Sequence, residues 1–270
     1  MLTLQAFEEL AVAGDLDIFN DLTINGAGAA TTAINAAGFE RVFDSKSSID
    51  FFLNDVTVTG GSTFGGGIYN NGGAVYVSDS VITGNTAVLT DGGGIFNSLG
   101  QLSVTDSTIS GNIGGFNGGG IYINGGNVTI TNTTISGNPA GGGGGGIYNT
   151  GGSGLVVNGG AISGNSGIYG GGIYNDGTAT VTLNGTTVTG NQASDYGGGI
   201  SNDSGTSSVE VNGGSVSGNT AFDDGGGIHN LGGLDVTEVT MQGNNAGDGA
   251  AIFNGGIALS TVRGSTLSGA

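Results

Sequence analysis

Apolar residues alternate with small polar ones in short bursts along this chain, as in Val56-Thr57-Val58-Thr59 and in the run from Asn127 to Ser136. The apolar members are mostly β-branched and their partners are Thr, Ser and Asn. A period of two with that chemistry predicts strands that turn one face inward. Each burst ends in a Gly-rich bend before it is long enough for a helix.

The bursts recur on a fixed beat. A pair of aliphatics stands at Val75/Val77, Leu102/Val104, Val128/Ile130, Leu155/Val157, Val181/Leu183, Val209/Val211 and Leu234/Val236. A single apolar residue follows at Ile82, Ile109, Ile135, Ile162, Val188, Val216 and Met241. A Gly run then leads to Ile68, Ile95, Ile121, Ile147, Ile173, Ile200, Ile228 and Ile252, at intervals of 27, 26, 26, 26, 27, 28 and 24 residues. Three apolar markers per repeat predict three short strands per repeat.

One such repeat cannot bury its apolar face alone, whereas stacked repeats can if equivalent strands pair in parallel. The fold class expected is all-β: a parallel β-solenoid with one repeat of 24–28 residues per coil, each coil advancing ~4.8 Å. Weaker markers at Leu2/Leu4, Leu16/Ile18, Leu22/Ile24, Ile34, Val42/Phe43, Phe51/Leu53 and Val56/Val58 read as strands of earlier coils. Residues 1–60 are thus irregular leading coils and 61–270 regular repeats of a single domain, with about ten coils in a rod on the order of 50 Å long.

Two polar series keep the same beat. Gly-Asn places Asn85, Asn112, Asn138, Asn165, Asn191, Asn219 and Asn244 after the single aliphatic. Asn70, Asn97, Asn149, Asn175, Asn202, Asn230 and Asn254 stand two residues after the Ile. Two steps from an inward residue also point inward, so these amides are expected to bond from coil to coil and to the bends.

Composition narrows the function classes. The 63 glycines of 270 residues are periodic, which excludes a disordered linker. Net charge is -18 and Arg41, Lys46 and Arg263 are the only basic residues, too few to neutralise nucleic acid or an anionic membrane surface. There is no Cys, hence no disulfide and no thiolate chemistry. No apolar run approaches membrane-span length, so no transmembrane segment is expected. The first 17 residues hold four acids and lack the basic and apolar regions of a signal peptide. The chain is expected to be a segment of a larger extracellular or cell-surface protein whose export signal lies elsewhere.

The repeated Gly-Gly-Ile, as in Gly66-Gly67-Ile68, with its alternating strand and Ser-Gly-Asn, resembles right-handed parallel β-helix repeat proteins of the pectate-lyase-like superfamily. In particular it resembles bacterial surface proteins with polymorphic-outer-membrane-type repeats. The segment DLTINGAG to TAINAAGFERVF is similar to the opening segment of large secreted β-helix proteins. The resemblance implies a right-handed coil and a longer parent chain with an anchor or barrel. It leaves function open among lyases, hydrolases, adhesins and passive stalks.

Several residue sets are candidates for function. Tyr69, Phe96, Tyr122, Tyr148 and Tyr174 follow the Ile, then Ser201, His229 and Phe253. With Ile inward they point outward, either as a glycan-binding ladder or as rings stacked on one another at a corner. Thr108/Ser110, Thr134/Ser136, Thr187/Thr189, Ser215/Ser217 and Thr57/Thr59 flank an inward aliphatic, interrupted at Val81 and Ala161. They form either an ordinary solvent face or an array like that of ice-binding solenoids. Asp195, Asp223, Asp224 and Asp248 occupy one bend on three successive coils, as solvated acids or as ligands for a possible calcium. Asp224 and Asp248 could in principle serve as general acid and base, as paired carboxylates do in glycosidases, and His229, the only His, stands in the aromatic series. The coils supply no Lys or Arg for lyase chemistry and no long loop to wall a cleft, so a non-catalytic chain needing no cofactor is expected. Its partners would be a parent chain or copies of itself, stacked end to end as a rod or filament.

Overall fold

The computed structural model describes residues 2–3, 9–11 and 14–268, with side chains described from residue 14 onward. Leu4 lies outside the described residues. Among them every regular element is a strand, and no helix is long and apolar enough to cross a membrane. The strands form three long parallel sheets wound into a β-solenoid of about ten turns. The first sheet runs from Leu2–Thr3 to Ser260–Arg263 in eleven strands, the second from Glu9–Ala11 to Thr266–Ser268 in eleven, and the third from Leu16–Ile18 to Ile252–Asn254 in ten. Two small sheets of two-residue strands, such as Thr86–Ala87 on Ile113–Gly114, line the bend before the third sheet. The sequence pattern did not predict these, because two residues are too short for a periodicity.

Each turn reads outward from its sequence. In Ala74–Ser78 the aliphatics Val75 and Val77 are buried between half-exposed neighbours, and the same alternation holds down the first sheet. Val81–Thr83 buries only its central Ile82. In the third sheet Ile68, Ile95, Ile121, Ile147, Ile173, Ile200 and Ile228 are fully buried, while Ile252 on the last turn is half-buried. Like stands over like in the core columns, with Val75 paired to Leu102 and Phe51, and Ile121 to Ile95 and Ile147. Each fully buried Ile of this kind contributes on the order of 1.5–3 kcal/mol.

The corners are built from residues that tolerate them. Between the first and second sheets Asp79, Asp106 and Asn132 adopt left-handed φ of 48°, 47° and 48°, the conformation Asp and Asn accept most readily after Gly. The next residue is a buried hydroxyl that takes the backbone N–H of the preceding turn: Ser80 from Val56 at 3.2 Å, Ser107 from Ser80 at 3.1 Å, Thr133 from Ser107 at 3.3 Å. At the Gly run, Gly118 is left-handed with φ 63°. Gly119 and Gly120 are required for space instead, since a Cβ there would stand 2.6 Å from the carbonyl oxygens of Gly145 and Gly146 on the next turn.

Two amide columns run through the interior. Asn85, Asn112, Asn138, Asn165, Asn191, Asn219 and Asn244 are buried. Each side-chain N–H donates to the next Asn Oδ1, at 3.0 Å for Asn85 to Asn112 and 2.9 Å for Asn138 to Asn165. The second amide proton donates to a backbone carbonyl one turn back, as Asn138 does to Ile109 at 3.0 Å. In the other column Asn149, Asn175, Asn202, Asn230 and Asn254 bond in series, and Asn70 bonds to Asn97. Ile123 breaks it, and Asn97 donates to the carbonyls of Gly100 and Gly125 instead.

The leading coils hold an ion-pair network. Asp44 is buried, and its Oδ2 accepts from Arg41 at 3.2 Å and Lys46 at 2.7 Å; Arg41 also reaches Asp15 and Lys46 reaches Asp17. Two of the three basic residues in the chain are thus spent here. Removing one partner leaves a buried charge underpaired, so Arg41→Ala is expected to cost about 2–3 kcal/mol in a denaturant titration. An unchanged midpoint would show that Lys46 alone compensates Asp44.

Candidate functional site

The residue after each Ile of the third sheet points away from the coil interior, toward the Gly-rich bend. The rings at Phe96, Tyr122, Tyr148 and Tyr174 stack on one another with centroids 4.6, 5.0 and 5.1 Å apart. Phe64, from the bend, packs against both Tyr69 and Phe96, and Arg41 lies 5.1 Å over the Tyr69 ring. The column therefore begins at the ion-pair network.

It does not stop at Ser201. Tyr169 and Tyr196, each just before a Gly run, swing in from the bend: Tyr174 meets Tyr169 at 5.9 Å, Tyr169 meets Tyr196 at 4.6 Å, and Tyr196 meets His229 at 4.4 Å, with Phe253 beyond at 5.2 Å. Ser201 is fully buried beside this bypass. Sequence comparison within the repeat missed Tyr169 and Tyr196 because they sit at a different position from the rings they replace. Their signal was the aromatic before the Gly run in the turn of Ser201 and in the turn preceding it.

Of the two arrangements the sequence allows, the rings adopt the one in which they stack on one another at a corner. Phe96 is 4% exposed and Tyr174 8%. The faces of Tyr122 and Tyr148 are covered by neighbouring rings, and the bend packs against their sides, where a Cβ on Gly143 would lie 3.2 Å from the Tyr148 ring. Stacking a pyranose requires a free ring face, and this column offers edges and hydroxyls. The hydroxyls are partly engaged: Tyr148 and Tyr174 donate to Asp176 and Asp203 on the neighbouring turn, and Tyr196 shares Asp203.

Burial pushes the Tyr122 phenol up to about 12, helped by the charges of Asp91 and Asp176; Tyr148, Tyr174 and Tyr196 are pushed up further, again chiefly by burial. A phenol whose folded pKa exceeds its unfolded value of about 10 favours the fold below pH 10 and ceases to as pH rises through the folded pKa. Stability is therefore expected to fall from about pH 10 upward, with phenolate absorbance at Tyr122 appearing late. Titration of all seven tyrosines together near pH 10 would contradict the buried column.

The acidic bend lies beside the end of this column. The backbones of Asp224 and Asp248 pair in parallel, and the Asp223 amide donates to the Asp195 carbonyl. Burial and then the charges of Asp223 and Asp224 raise the Asp195 carboxyl; burial lowers His229, against the pull of Asp203, Asp224 and Asp195. Among the described residues, the one group of three acids whose ligand atoms approach within 4.8 Å is Asp15, Asp17 and Asp44. Those acids already hold Arg41 and Lys46. Asp195, Asp223, Asp224 and Asp248 are spread over three successive turns, and although Asp195 meets Asp223, no three of them bring their ligand atoms that close.

The Thr/Ser face lies on the second sheet, turned away from both features. Thr108, Thr134, Ala161, Thr187 and Ser215 pair in register down one column, and Ser110, Ser136, Ser163, Thr189 and Ser217 down the next. Comparison of the chain with protein-family models, with curated proteins and with solved structures found no match.

Proposed function

We propose that this protein is a rigid structural rod, acting outside the cell as part of a surface assembly or filament, and that it does no chemistry of its own. Support comes chiefly from one observation: the motif repeated in every turn is consumed in holding turns together. Its Ile fills the core, its Asn bonds to the next Asn, its ring stacks on the next ring and its glycines let the backbones approach. A repeated binding site would leave at least one of these free.

The acidic surface suits a rod that must not collapse onto its copies. The inward position of the last turn in the second sheet, Leu267, is 47% exposed, where Met241 one turn earlier is fully covered. The end of a second copy would stack there.

The test is to incubate the protein with pectin, alginate and chitin fragments in calcium and assay for product. No release is expected. Steady release abolished by Asp224→Ala would replace the structural role with a catalytic one. Electron microscopy at high concentration reports separately on end-to-end stacking.

A further inference from the structure

The buried amide columns are hydrogen-bonded within the fold, whereas most hydroxyls on the outer face of the second sheet have no partner in the protein; Thr57, which donates to the Ala29 carbonyl, and Ser217, which donates to that of Thr240, are the exceptions. The hydroxyls of Thr108, Ser110, Thr134, Ser136, Thr187 and Thr189 make no hydrogen bond to the protein. They flank the buried Ile109, Ile135 and Val188, so they stand outward on the second sheet and remain half-exposed. Their whole capacity to donate and accept is directed at solvent.

The same face is free of charge. From Ala33–Asn35 to Thr266–Ser268 the outward positions of the second sheet hold no Asp, Glu, Lys or Arg, in a chain with 21 acids. The first sheet, by contrast, presents Glu210, Asp235 and Arg263 outward, and the third its rings. Val81 and Ala161, where the hydroxyl columns are interrupted, are small and apolar, so they break the rows without adding charge or bulk.

Register is the third property. Pairing runs from turn to turn without a slip across these strands. Hydroxyls therefore repeat at about 4.8 Å between turns and roughly 6.6 Å across each strand. The amide column at the adjoining corner, bonded from turn to turn, keeps the spacing between coils.

What such a face can bind follows from what it lacks. Among the described residues its outward positions hold no aromatic ring or Arg of the kind that anchors protein interfaces. Its distinguishing property is two-dimensional periodicity, which is of use only against a partner with a matching long-range repeat. Each hydroxyl and methyl adds little alone, but a preordered array loses almost no conformational entropy on docking, so many small contacts sum. Crystalline polysaccharide is periodic too, but its sugar rings call for aromatic faces, which here are buried in the other column. We propose that the outer face of the second sheet is an ice-binding surface, ordering lattice water through its Thr and Ser rows.

The experiment compares the whole chain with Thr134→Lys, Ser136→Tyr and, as a control on the first sheet, Ser103→Lys, using thermal hysteresis, crystal shape and partition of labelled protein into a growing ice hemisphere. Circular dichroism and melting confirm the fold of each; Tyr is a strong strand former and serves if the Lys variant does not fold. The native chain and Ser103→Lys are expected to shape ice and enter it, and the two second-sheet variants to lose most of that activity. Absence of hysteresis, shaping and partition in the native chain would overturn the proposal. So would equal loss in the control, or adsorption to microcrystalline cellulose or chitin with none to ice.

Discussion

Asn138→Asp is expected to destabilise the protein by about 4 kcal/mol or more, although the side chains differ by one atom group. Asn138 is fully buried. Its amide nitrogen donates to the Ile109 carbonyl and to Asn165 Oδ1, and its own oxygen accepts from the backbone and side-chain nitrogens of Asn112 at 2.9 and 3.1 Å. A carboxylate at this position faces two acceptors with no proton to offer. Burial and those acceptors disfavour its charged form, so its folded pKa lies above the unfolded value of about 3.9. The sign follows by linkage: the variant gains stability relative to the native chain as pH falls through the folded pKa, since protonation restores one donor. Urea titrations at neutral and acid pH check both parts. Asn158, half-exposed and accepting only from Asn184 at 2.9 Å, provides the contrast. Asn158→Asp is expected to stay within about 1 kcal/mol of the native chain.

Gly120→Ala is expected to cost about 3 kcal/mol by overpacking between turns. A Cβ at Gly120 would lie 2.6 Å from the Gly146 carbonyl oxygen and 3.2 Å from both Asn138 Nδ2 and Ile135 Cγ2. The first neighbour is backbone in the next turn, and the other two belong to the amide column and the core, so the turns themselves must separate. Gly137 separates space from backbone strain: its φ is 61° and nothing lies within 4 Å of where a Cβ would stand. There Ala meets only the left-handed penalty, on the order of 1 kcal/mol. Comparable losses at the two sites in thermal melts would show that coil spacing is not fixed by the Gly run.

The parts of the structure that were legible in the sequence are those where one residue type serves one position in every turn. The Ile, the paired aliphatics and both Asn series had to recur because each touches its own copy above and below, and the strands Ala74–Ser78, Val81–Thr83 and Ile95–Ser98 fall where these markers place them. Even the leading strands Leu16–Ile18 and Leu22–Asn25 follow from alternation. Features that different positions combine to make were not legible. Tyr196 supplies the ring that Ser201 lacks in its column, and no alignment of repeats pairs those two residues. The pairing of Asp44 with Arg41 and Lys46 depends on side-chain reach in coils without a clear repeat. Burial of the ring column was hidden too, since strand alternation tells which way Tyr122 points but not that the bend folds back beside it.

The central claim is that turns are joined in register by side-chain amides bonded one above the next. Nuclear magnetic resonance of labelled protein tests it most directly, by measuring through-space contacts and solvent exchange of the side-chain amide protons of Asn112, Asn138, Asn165 and Asn191. Contacts from each to the next are expected, across 26 or 27 residues of sequence, together with slow exchange. Side-chain amides that exchange freely and show only local contacts would contradict it.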